Sequence, residues 1–421
     1  RERPIPPLGK TSMELIARLG MPPRERKVVG LICAAHFFSH FHLLLLPPLF
    51  PVLREIYGVG FIELGFATAC FSVASGFSQI PLGFLVDKYG PKMILLWGLI
   101  IESLAICLIG VFPFYGALIA LMIAAGLANS VFHPADYSIL NAAVDKSRIG
   151  RVFSFHTFTG YLGDALGPVT VLAIAAWFDW RVAIFLCGFA GLLTAALMWA
   201  NGDILDDALG TNGKSAAKPA GGQGPSGAAL LFSLPVLMGF FFFAIMSISN
   251  GGVRTFGVSA LHEAFQHSLS AAGVVISVYL FAAPVGVLAG GLVADKISRH
   301  DLVAAACILL IALCVFAVAV FEPPLWVIGV LFAIAGVGNG FLAPARDMIV
   351  RSLAPPGSMG KVFGFVSSGF SVAGIIGPVL YGWILDHSAA KNVFWVSGFV
   401  ALLTIATVLG TGKVSRDAAA K

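Results

Sequence analysis

The stretch GLANSVFHPAD at residues 126–136 returns in altered form as GVGNGFLAPAR at residues 336–346. Gly, Asn, Pro and Ala recur at the same spacing, whereas the last residue changes from Asp136 to Arg346. A chain built from two such copies, apolar and interrupted by Gly and Pro, is typical of secondary transporters. In these proteins the solute site lies between the two copies.

The composition of the chain points to a membrane protein. Of its 421 residues 58% are hydrophobic and only 11% are charged, and the mean hydropathy is +0.93. A soluble protein of this size would carry more charged surface. The net charge of +5 lies mainly in short loops and tails, so it does not indicate nucleic-acid binding. The six Cys fall in apolar stretches, which favours buried free thiols over disulfides or metal ligands.

Apolar runs of about 20 residues, the length that crosses a bilayer as a helix, recur along the chain. We predict an all-α membrane protein whose twelve transmembrane helices form two six-helix bundles related by a pseudo-twofold axis. The predicted spans 1 to 12 are residues 28–53, 61–86, 93–112, 114–141, 151–178, 181–201, 230–257, 270–294, 302–321, 325–350, 361–386 and 392–412. The predicted bundles are 28–201 and 230–412, joined by a polar linker at 202–229 and flanked by tails at 1–27 and 413–421.

Lys and Arg are divided unevenly between the two sides of this arrangement. With the N-terminus inside, 21 of the 26 fall in tails and inner loops, and three, Arg54, Arg181 and Lys391, fall in outer loops. Cytoplasmic loops carry the excess of positive charge in membrane proteins. We therefore predict cytoplasmic termini in a protein of the cell inner membrane, and we expect a monomer.

Two loops on the predicted cytoplasmic side share a pattern. The loop after span 2 begins GFLVDKYGPK at residue 83, and the loop after span 8 begins GLVADKISR at residue 291, with Ser298 where the first copy has Gly. This pattern, twice in a chain of twelve spans, resembles the major facilitator superfamily. The resemblance implies the fold of that family and a latch between its halves. The residues expected to form the latch are Gly83, Asp87, Gly90, Lys92, Gly291, Asp295 and Arg299.

Two further segments resemble one branch of this superfamily, the fosmidomycin-resistance type of efflux protein. They are SVFHP at residues 130–134, and the first span from HFFSH at 36–40 to PLFP at 48–51. That type has an acidic residue in the segment that begins at His40, and a Glu where Ala135 stands. These departures leave drug export open and do not affect the expected architecture.

Polar residues within the spans mark the expected solute site, because ionisable groups at membrane depth are costly and normally face a cavity. The resemblance implies that spans 1, 4, 7 and 10 line the cavity, and span 5 contributes as well. The residues expected there are His36, His40, His133, Asp136, His156, Asp164, Asn250, Arg254, Asn339 and Arg346. Because Asp136 and Arg346 are equivalent in the two copies, we expect them to face each other near the cytoplasmic end of the cavity and to pair, or to alternate between pairing and the solute.

These residues are compatible with several kinds of chemistry. His and Asp can carry a coupling proton, since burial and partners move their pKa values through the working range. Arg254 and Arg346 can bind an organic anion. The pattern His36-x-x-x-His40-x-His42 suggests a metal site, and His side chains can also simply connect helices. The proton carrier is expected among Asp136, Asp164, His133 and His156.

From these features we expect a secondary transporter, not an enzyme, that moves a small organic solute by alternating access. The solute is expected to be an organic anion or an amphipathic drug-like compound, coupled to a proton. A transition-metal importer of the copper type and a drug/proton antiporter are the alternatives. No stretch resembles a nucleotide-binding loop, so neither ATP nor another cofactor is indicated.

Overall fold

The structure, a computed structural model, describes residues 21–205, 228–294, 297–355 and 358–419. Within these residues twelve helical segments are long and apolar enough to cross a membrane, which confirms the predicted all-α class. Spans 1 to 6 comprise the helices Pro23–Leu43, Pro47–Leu49 and Phe50–Tyr57 (span 1), Phe61–Tyr89, Pro91–Val111, Tyr115–Asn129 with Phe132–Ala143 (span 4), Ile149–Trp177 and Trp180–Ala200. Spans 7 to 12 are Leu234–Arg254, Leu269–Ala294, His300–Phe321, Leu325–Leu353, Met359–His387 and Asn392–Ala419, with short helices Ala228–Leu231 and Gly257–Phe265 around span 7.

Span 1 begins earlier than predicted and is broken near its far end. It starts at Pro23, since proline fixes a helical φ and its missing N–H is not needed in the first turn. At the prolines near residue 48 the span is interrupted, and a 3₁₀ turn at Pro47–Leu49 separates two α-helices. Prolines cannot donate the backbone hydrogen bonds of a continuous helix. Most of the predicted linker 202–229 and of the predicted N-terminal tail lies outside the described residues.

Span 4 is two helices, although we predicted one. Tyr115–Asn129 and Phe132–Ala143 meet at a joint beside Ser130, while the equivalent span 10 is continuous from Leu325 to Leu353. The Ser130 hydroxyl donates to a carbonyl of the preceding turn at 2.8 Å, and such side-chain bonds can bend a helix. Gly340 stands at the equivalent position of span 10 and has no side chain to form this bond.

The two halves, spans 1–6 and spans 7–12, pack through span 2 against span 11 and span 5 against span 8. We call the end formed by the spans' connections near residues 57–61 and 387–392 the sealed end. There the rings of Phe50 and Phe256 lie 5.5 Å apart, and Phe256 and Tyr381 lie 6.0 Å apart. These three aromatic side chains, all fully buried, close this end of the molecule.

Contact between the halves weakens toward the opposite end, which carries the two repeated loops and is called the loop end. Gly65 of span 2 lies so close to the Pro378 carbonyl that even a methyl group would overlap it. Halfway along span 2 the contact is less close, since a Cβ on Gly76 would lie 3.1 Å from the hydroxyl oxygen of Ser371. At the loop end, the space beside Gly83 is open. The halves are therefore joined from the sealed end to the middle of span 2.

Candidate functional site

A cavity of about 450 Å³ lies between the two halves. Its walls come from spans 1 and 5 on one side and spans 7, 8, 10 and 11 on the other. This volume is typical of pockets that hold small organic molecules. Six of the ten predicted site residues line it: His40, Asp164, Asn250, Arg254, Asn339 and Arg346. The other four, His36, His133, Asp136 and His156, gather inside the N-terminal half.

The shortest ionic contact in the cavity joins its two walls. A guanidinium nitrogen of Arg254, on span 7, donates to Oδ1 of Asp164, on span 5, at 2.6 Å. The other carboxylate oxygen of Asp164 lies 3.3 Å from Nδ1 of His40. The Asp164 side chain is 6% exposed and that of Arg254 is 31% exposed, so the arginine is the partner that a solute can reach. The pair holds opposite charges on opposite halves.

A second polar group sits beside this pair, within the C-terminal half. Asn250 donates to the side-chain oxygen of Asn339 at 3.2 Å, and the Tyr279 hydroxyl donates to the side-chain oxygen of Asn250 at 3.0 Å. Tyr161 lines the same cavity from span 5. Sequence reasoning missed both tyrosines, although Tyr161 precedes Asp164 by three residues and therefore shares its helix face.

Arg346 lines the cavity but does not pair with Asp136, which corrects our prediction. Its Nε donates to Asp347 at 2.9 Å, and its guanidinium lies over the rings of Phe243 at 5.1 Å and Phe370 at 5.3 Å. Asp136 is fully buried within the N-terminal half. Span 4 is divided by a joint before Asp136, whereas span 10 is continuous through Arg346. Equivalence in sequence therefore does not place the two side chains opposite each other.

Asp136 lies instead between two histidines from neighbouring spans. Its Oδ2 is 3.0 Å from Nε2 of His156 and 3.3 Å from Nδ1 of His36. The two imidazole rings stack with centroids 3.6 Å apart. The ring of His133 lies 5.4 Å from that of His36, and the ring of His40 lies 4.7 Å from it. We call His36, His133, Asp136 and His156 the histidine cluster; His40 connects it to the cavity.

His42 belongs to a separate buried group, which corrects the metal pattern proposed from the first span. Its Nε2 lies 3.4 Å from the Cys187 carbonyl oxygen, and its Nδ1 lies 3.8 Å from Glu102. Glu102 is fully buried and accepts a hydrogen bond from Asn129 at 3.2 Å. Sequence reasoning missed Glu102, although an acidic residue in the middle of apolar span 3 was the signal.

The predicted latch residues make local contacts in the described part of the chain. Gly90, with φ of +89°, lies between spans 2 and 3, and Lys92 follows it. Arg299 donates to the Asp301 carboxylate of its own half at 3.0 and 3.1 Å, and this partner raises the pKa of Arg299. The space beside Gly291 is open. Asp295 and the side chain of Asp87 lie outside the described residues, so the latch stays a prediction.

Comparison with known proteins agrees with this architecture. The sequence model of the Major Facilitator Superfamily matches residues 32–260 and 237–419. The fosmidomycin resistance protein of Escherichia coli (strain K12) is 25% identical over 421 residues, 97% of each chain. A probable sulfoacetate transporter of Cupriavidus necator is 22% identical over 387 residues, 88% of this chain and 90% of that one.

A solved structure shares the fold over almost the whole length. A bacterial homologue of the human lysosomal transporter Spinster, crystallised in an inward-facing and occupied conformation, superposes with a TM-score of 0.72. It covers 95% of this chain and 98% of its own, at 12% sequence identity. At this identity the likeness concerns the fold alone.

Proposed function

Because the chain belongs to the Major Facilitator Superfamily of membrane transporters, we propose that its solute is a small organic anion and its coupling ion a proton. The observation that supports this proposal is the ion pair between Arg254 and Asp164 at 2.6 Å, which joins the two halves inside the cavity. A solute carboxylate, sulfonate or phosphonate can replace Asp164 as the partner of the arginine, since guanidinium binds such groups bidentately.

The charge balance of the cavity explains why a proton accompanies the anion. Arg254 is balanced by Asp164, and Arg346 by Asp347. An anion that enters alone adds an uncompensated charge to a site of low dielectric constant, which is unfavourable. A proton that binds to the Asp164 carboxylate removes its negative charge, releases Arg254 and restores the balance. The anion then binds to the released guanidinium.

The groups that face Asp164 set how readily it takes this proton. His40 approaches it from span 1, and Arg254 approaches it from span 7. Tyr161, on the same span, and Tyr279, on span 8, line the cavity beside the pair. Arg254 favours the charged carboxylate, so an arriving anion, which neutralises the guanidinium, makes protonation of Asp164 easier. Anion and proton therefore assist each other's binding.

The similarity to a probable sulfoacetate transporter supports the choice of an organic anion. Sulfoacetate carries a carboxylate and a sulfonate, and two guanidinium groups, those of Arg254 and Arg346, line this cavity. Phe370, one of the two rings against Arg346, lines the cavity and would accommodate the apolar part of such a solute. The cavity thus offers both charge and apolar surface to a compound of this class.

The proposal is tested by thermal unfolding of the purified protein with sulfoacetate, fosmidomycin, short mono- and dicarboxylates, and D-glucose as the neutral comparison. A compound that binds the native state raises the unfolding temperature by mass action. We expect at least one anion to do so, D-glucose not to, and the response to be lost in Arg254→Gln. Arg181→Gln, which changes an exposed arginine at the sealed end, is the matched control and keeps the response.

Flux then distinguishes transport from binding. In proteoliposomes, an acidic pH on the side of the labelled anion should speed its entry, and Arg254→Gln should abolish the effect. Equal responses of wild type and Arg254→Gln to every anion in the set would overturn the proposed site. Flux that is indifferent to the proton gradient would overturn the coupling.

Export of a drug-like compound is a second candidate, favoured by the similarity to the fosmidomycin resistance protein over 97% of each chain. The same ion pair serves an antiporter, in which proton and solute occupy the site in turn. In that case an opposing proton gradient accelerates fosmidomycin movement, so the sign of the gradient effect separates the two candidates.

A further inference from the structure

Glu102 is an acidic residue at membrane depth that neither the anion site nor the histidine cluster uses. It stands near the middle of span 3, which runs from Pro91 to Val111, and its side chain is 0% exposed. The residues that line the cavity between the halves do not include it. Because an ionisable group at this depth is costly, it marks a functional site of its own.

The carboxyl group of Glu102 has few partners in the described part of the chain. Its Oε1 accepts a hydrogen bond from the side-chain amide of Asn129, on span 4, at 3.2 Å. The same oxygen lies 3.8 Å from Nδ1 of His42, on span 1, which is too far for a hydrogen bond. Its Oε2 has no hydrogen-bond partner. Among the described residues no Lys or Arg pairs with Glu102, so a negative charge on it would lack compensation.

The second nitrogen of His42 shows which atom of the ring carries the hydrogen. Nε2 lies 3.4 Å from the carbonyl oxygen of Cys187, on span 6, and a carbonyl oxygen can only accept. Nε2 is therefore the donor, and in the neutral ring Nδ1 is an acceptor. Nδ1 faces Glu102 and has no hydrogen-bond partner among the described residues. A carboxylate would thus face a second acceptor, unless one of the two groups binds a proton.

Burial determines which of the two groups holds this proton. An ion pair of imidazolium and carboxylate must offset the loss of hydration of both charges, which requires close contact and further hydrogen bonds. The nearest atoms of His42 and Glu102 are 3.8 Å apart, and the two side chains are 1% and 0% exposed. A protonated Glu102 beside a neutral His42 places no charge inside the bundle. The proton then lies on Oε2, since Oε1 accepts from Asn129.

The packing of span 6 holds the imidazole of His42 in this position. Gly191 faces the ring, and a Cβ on it would lie 2.8 Å from Cε1 of His42. The same Cβ would overlap the hydroxyl of Ser103, the residue that follows Glu102. The missing side chain at Gly191 thus leaves room for both groups, and the close fit keeps the ring beside span 3.

We propose that Glu102 and His42 form a second proton-binding site, separate from Asp164 and outside the cavity, in which Glu102 is protonated in this conformation. The groups packed around the carboxyl are His42 from span 1, Asn129 from span 4 and, beyond the imidazole, Cys187 from span 6. None of them supplies a fixed positive charge that would hold Glu102 in its ionised form.

This site adjoins the joint in span 4. Asn129 is the last residue of the helix Tyr115–Asn129. Its amide donates to Glu102 and also to the carbonyl oxygen of Ser39, on span 1, at 3.4 Å. Loss of the proton would leave a buried negative charge beside the residue that connects spans 1, 3 and 4 at the joint. The N-terminal half is therefore expected to lose stability as the pH rises.

The pH dependence of unfolding is the first test. An exposed glutamate is ionised above about pH 4–5, so unfolding releases the proton that Glu102 holds. This residue alone should raise the unfolding constant up to about tenfold per pH unit above that range. Glu102→Gln keeps the shape and neutrality of the protonated side chain and has no proton to lose. We expect Glu102→Gln to unfold at a higher temperature than wild type at about pH 8, by a margin that shrinks toward about pH 5.

The matched control is Glu322→Gln, which changes an exposed glutamate paired with Lys391. It should give no gain in unfolding temperature that grows with pH. A Glu102→Gln protein that is less stable than wild type throughout the pH range would overturn the proposal. Failure of this variant to fold would do the same, because Gln resembles the protonated side chain.

Infrared spectroscopy of the full-length protein in detergent detects the proton directly. A protonated carboxyl group has a C=O stretching band that a carboxylate lacks. At neutral pH the spectrum of wild type minus that of Glu102→Gln should contain this band, and its absence would overturn the proposal. Asp164→Asn should retain the band of Glu102. The result is thus independent of the anion experiments, and failure of either proposal leaves the other standing.

Discussion

The carboxylate of Asp386, at the end of span 11, caps the helix of the opposite half that begins at Phe61. It accepts backbone hydrogen bonds from Phe61 at 2.9 Å and from Ile62 at 2.8 Å. The first N–H groups of a helix have no partner within the helix, and they carry its positive dipole end. The cap therefore connects the halves at the sealed end, and it must be released when this end opens.

Removal of this cap should favour the state that is open at the sealed end. Asp386→Ala loses about 0.5–2 kcal/mol of capping energy, whereas Asp386→Asn keeps an acceptor oxygen and serves as the control. The readout is labelling of a Thr255→Cys reporter in the cavity wall by an impermeant thiol reagent added at the sealed end. We expect labelling several-fold faster with Asp386→Ala than with Asp386→Asn. Equal rates would show that the cap does not hold this end closed.

Anion binding should depend on pH through Asp164. Binding requires a protonated carboxylate, so the apparent Kd rises about tenfold for each unit of pH at which Asp164 is charged. Affinity is therefore highest at low pH. In Asp164→Asn the side chain is always neutral, and calorimetry at a series of pH values should give a constant Kd. Asp145→Asn is the control: Ser147 lowers the pKa of Asp145 in its loop outside the spans, and this change should leave the slope intact.

Arg346 should contribute to anion binding less than Arg254 does. It is already paired with Asp347 and packed between two aromatic rings. Arg346→Lys keeps the charge and loses part of the cation–π contact, which is worth about 0.5–1 kcal/mol at exposed sites. We expect a two- to fivefold increase in Kd, as about that energy implies, against a far larger loss in Arg254→Lys. Similar losses in both variants would contradict this ranking.

Gly65 of span 2 should be required for full stability, because it packs closely against span 11 near the sealed end. In Gly65→Ala the new methyl group overlaps the Pro378 carbonyl, so the unfolding temperature should fall. Gly83→Ala, in the same helix but beside open space, should keep or slightly raise it, because alanine favours helix by about 1 kcal/mol over glycine. A pair of variants with the same unfolding temperature would contradict the contact between spans 2 and 11.

The sequence predicted the architecture well because lipid imposes a simple rule. Every span must satisfy its own backbone hydrogen bonds, so long apolar helices are the expected outcome, and the described part of the chain contains twelve. The family resemblance drawn from two loops is confirmed by the match over residues 32–260 and 237–419. The repeat also places Asn250, Arg254, Asn339 and Arg346 on cavity-lining spans 7 and 10.

The directions of individual side chains could not be predicted in this way. Asp136 and Arg346 occupy equivalent positions, yet one is buried beside His156 and the other lies against Phe243 and Phe370. The two spans differ in a joint that divides span 4 and is absent from span 10, and hydrophobic periodicity does not reveal such a joint. The Arg254–Asp164 pair escaped prediction because it joins spans 5 and 7, which are not equivalent in the repeat.

The joint beside Ser130 divides span 4 into two helices, whereas the equivalent span 10 is one helix. Span 10 is one continuous helix of 29 residues, with Pro344 inside it. Span 4 can displace the helix Phe132–Ala143 while Tyr115–Asn129 stays in place. A rearrangement at the loop end therefore need not be the same in the two halves. In the N-terminal half the helix Phe132–Ala143 can change its angle at the joint, and the C-terminal half has no such joint in span 10.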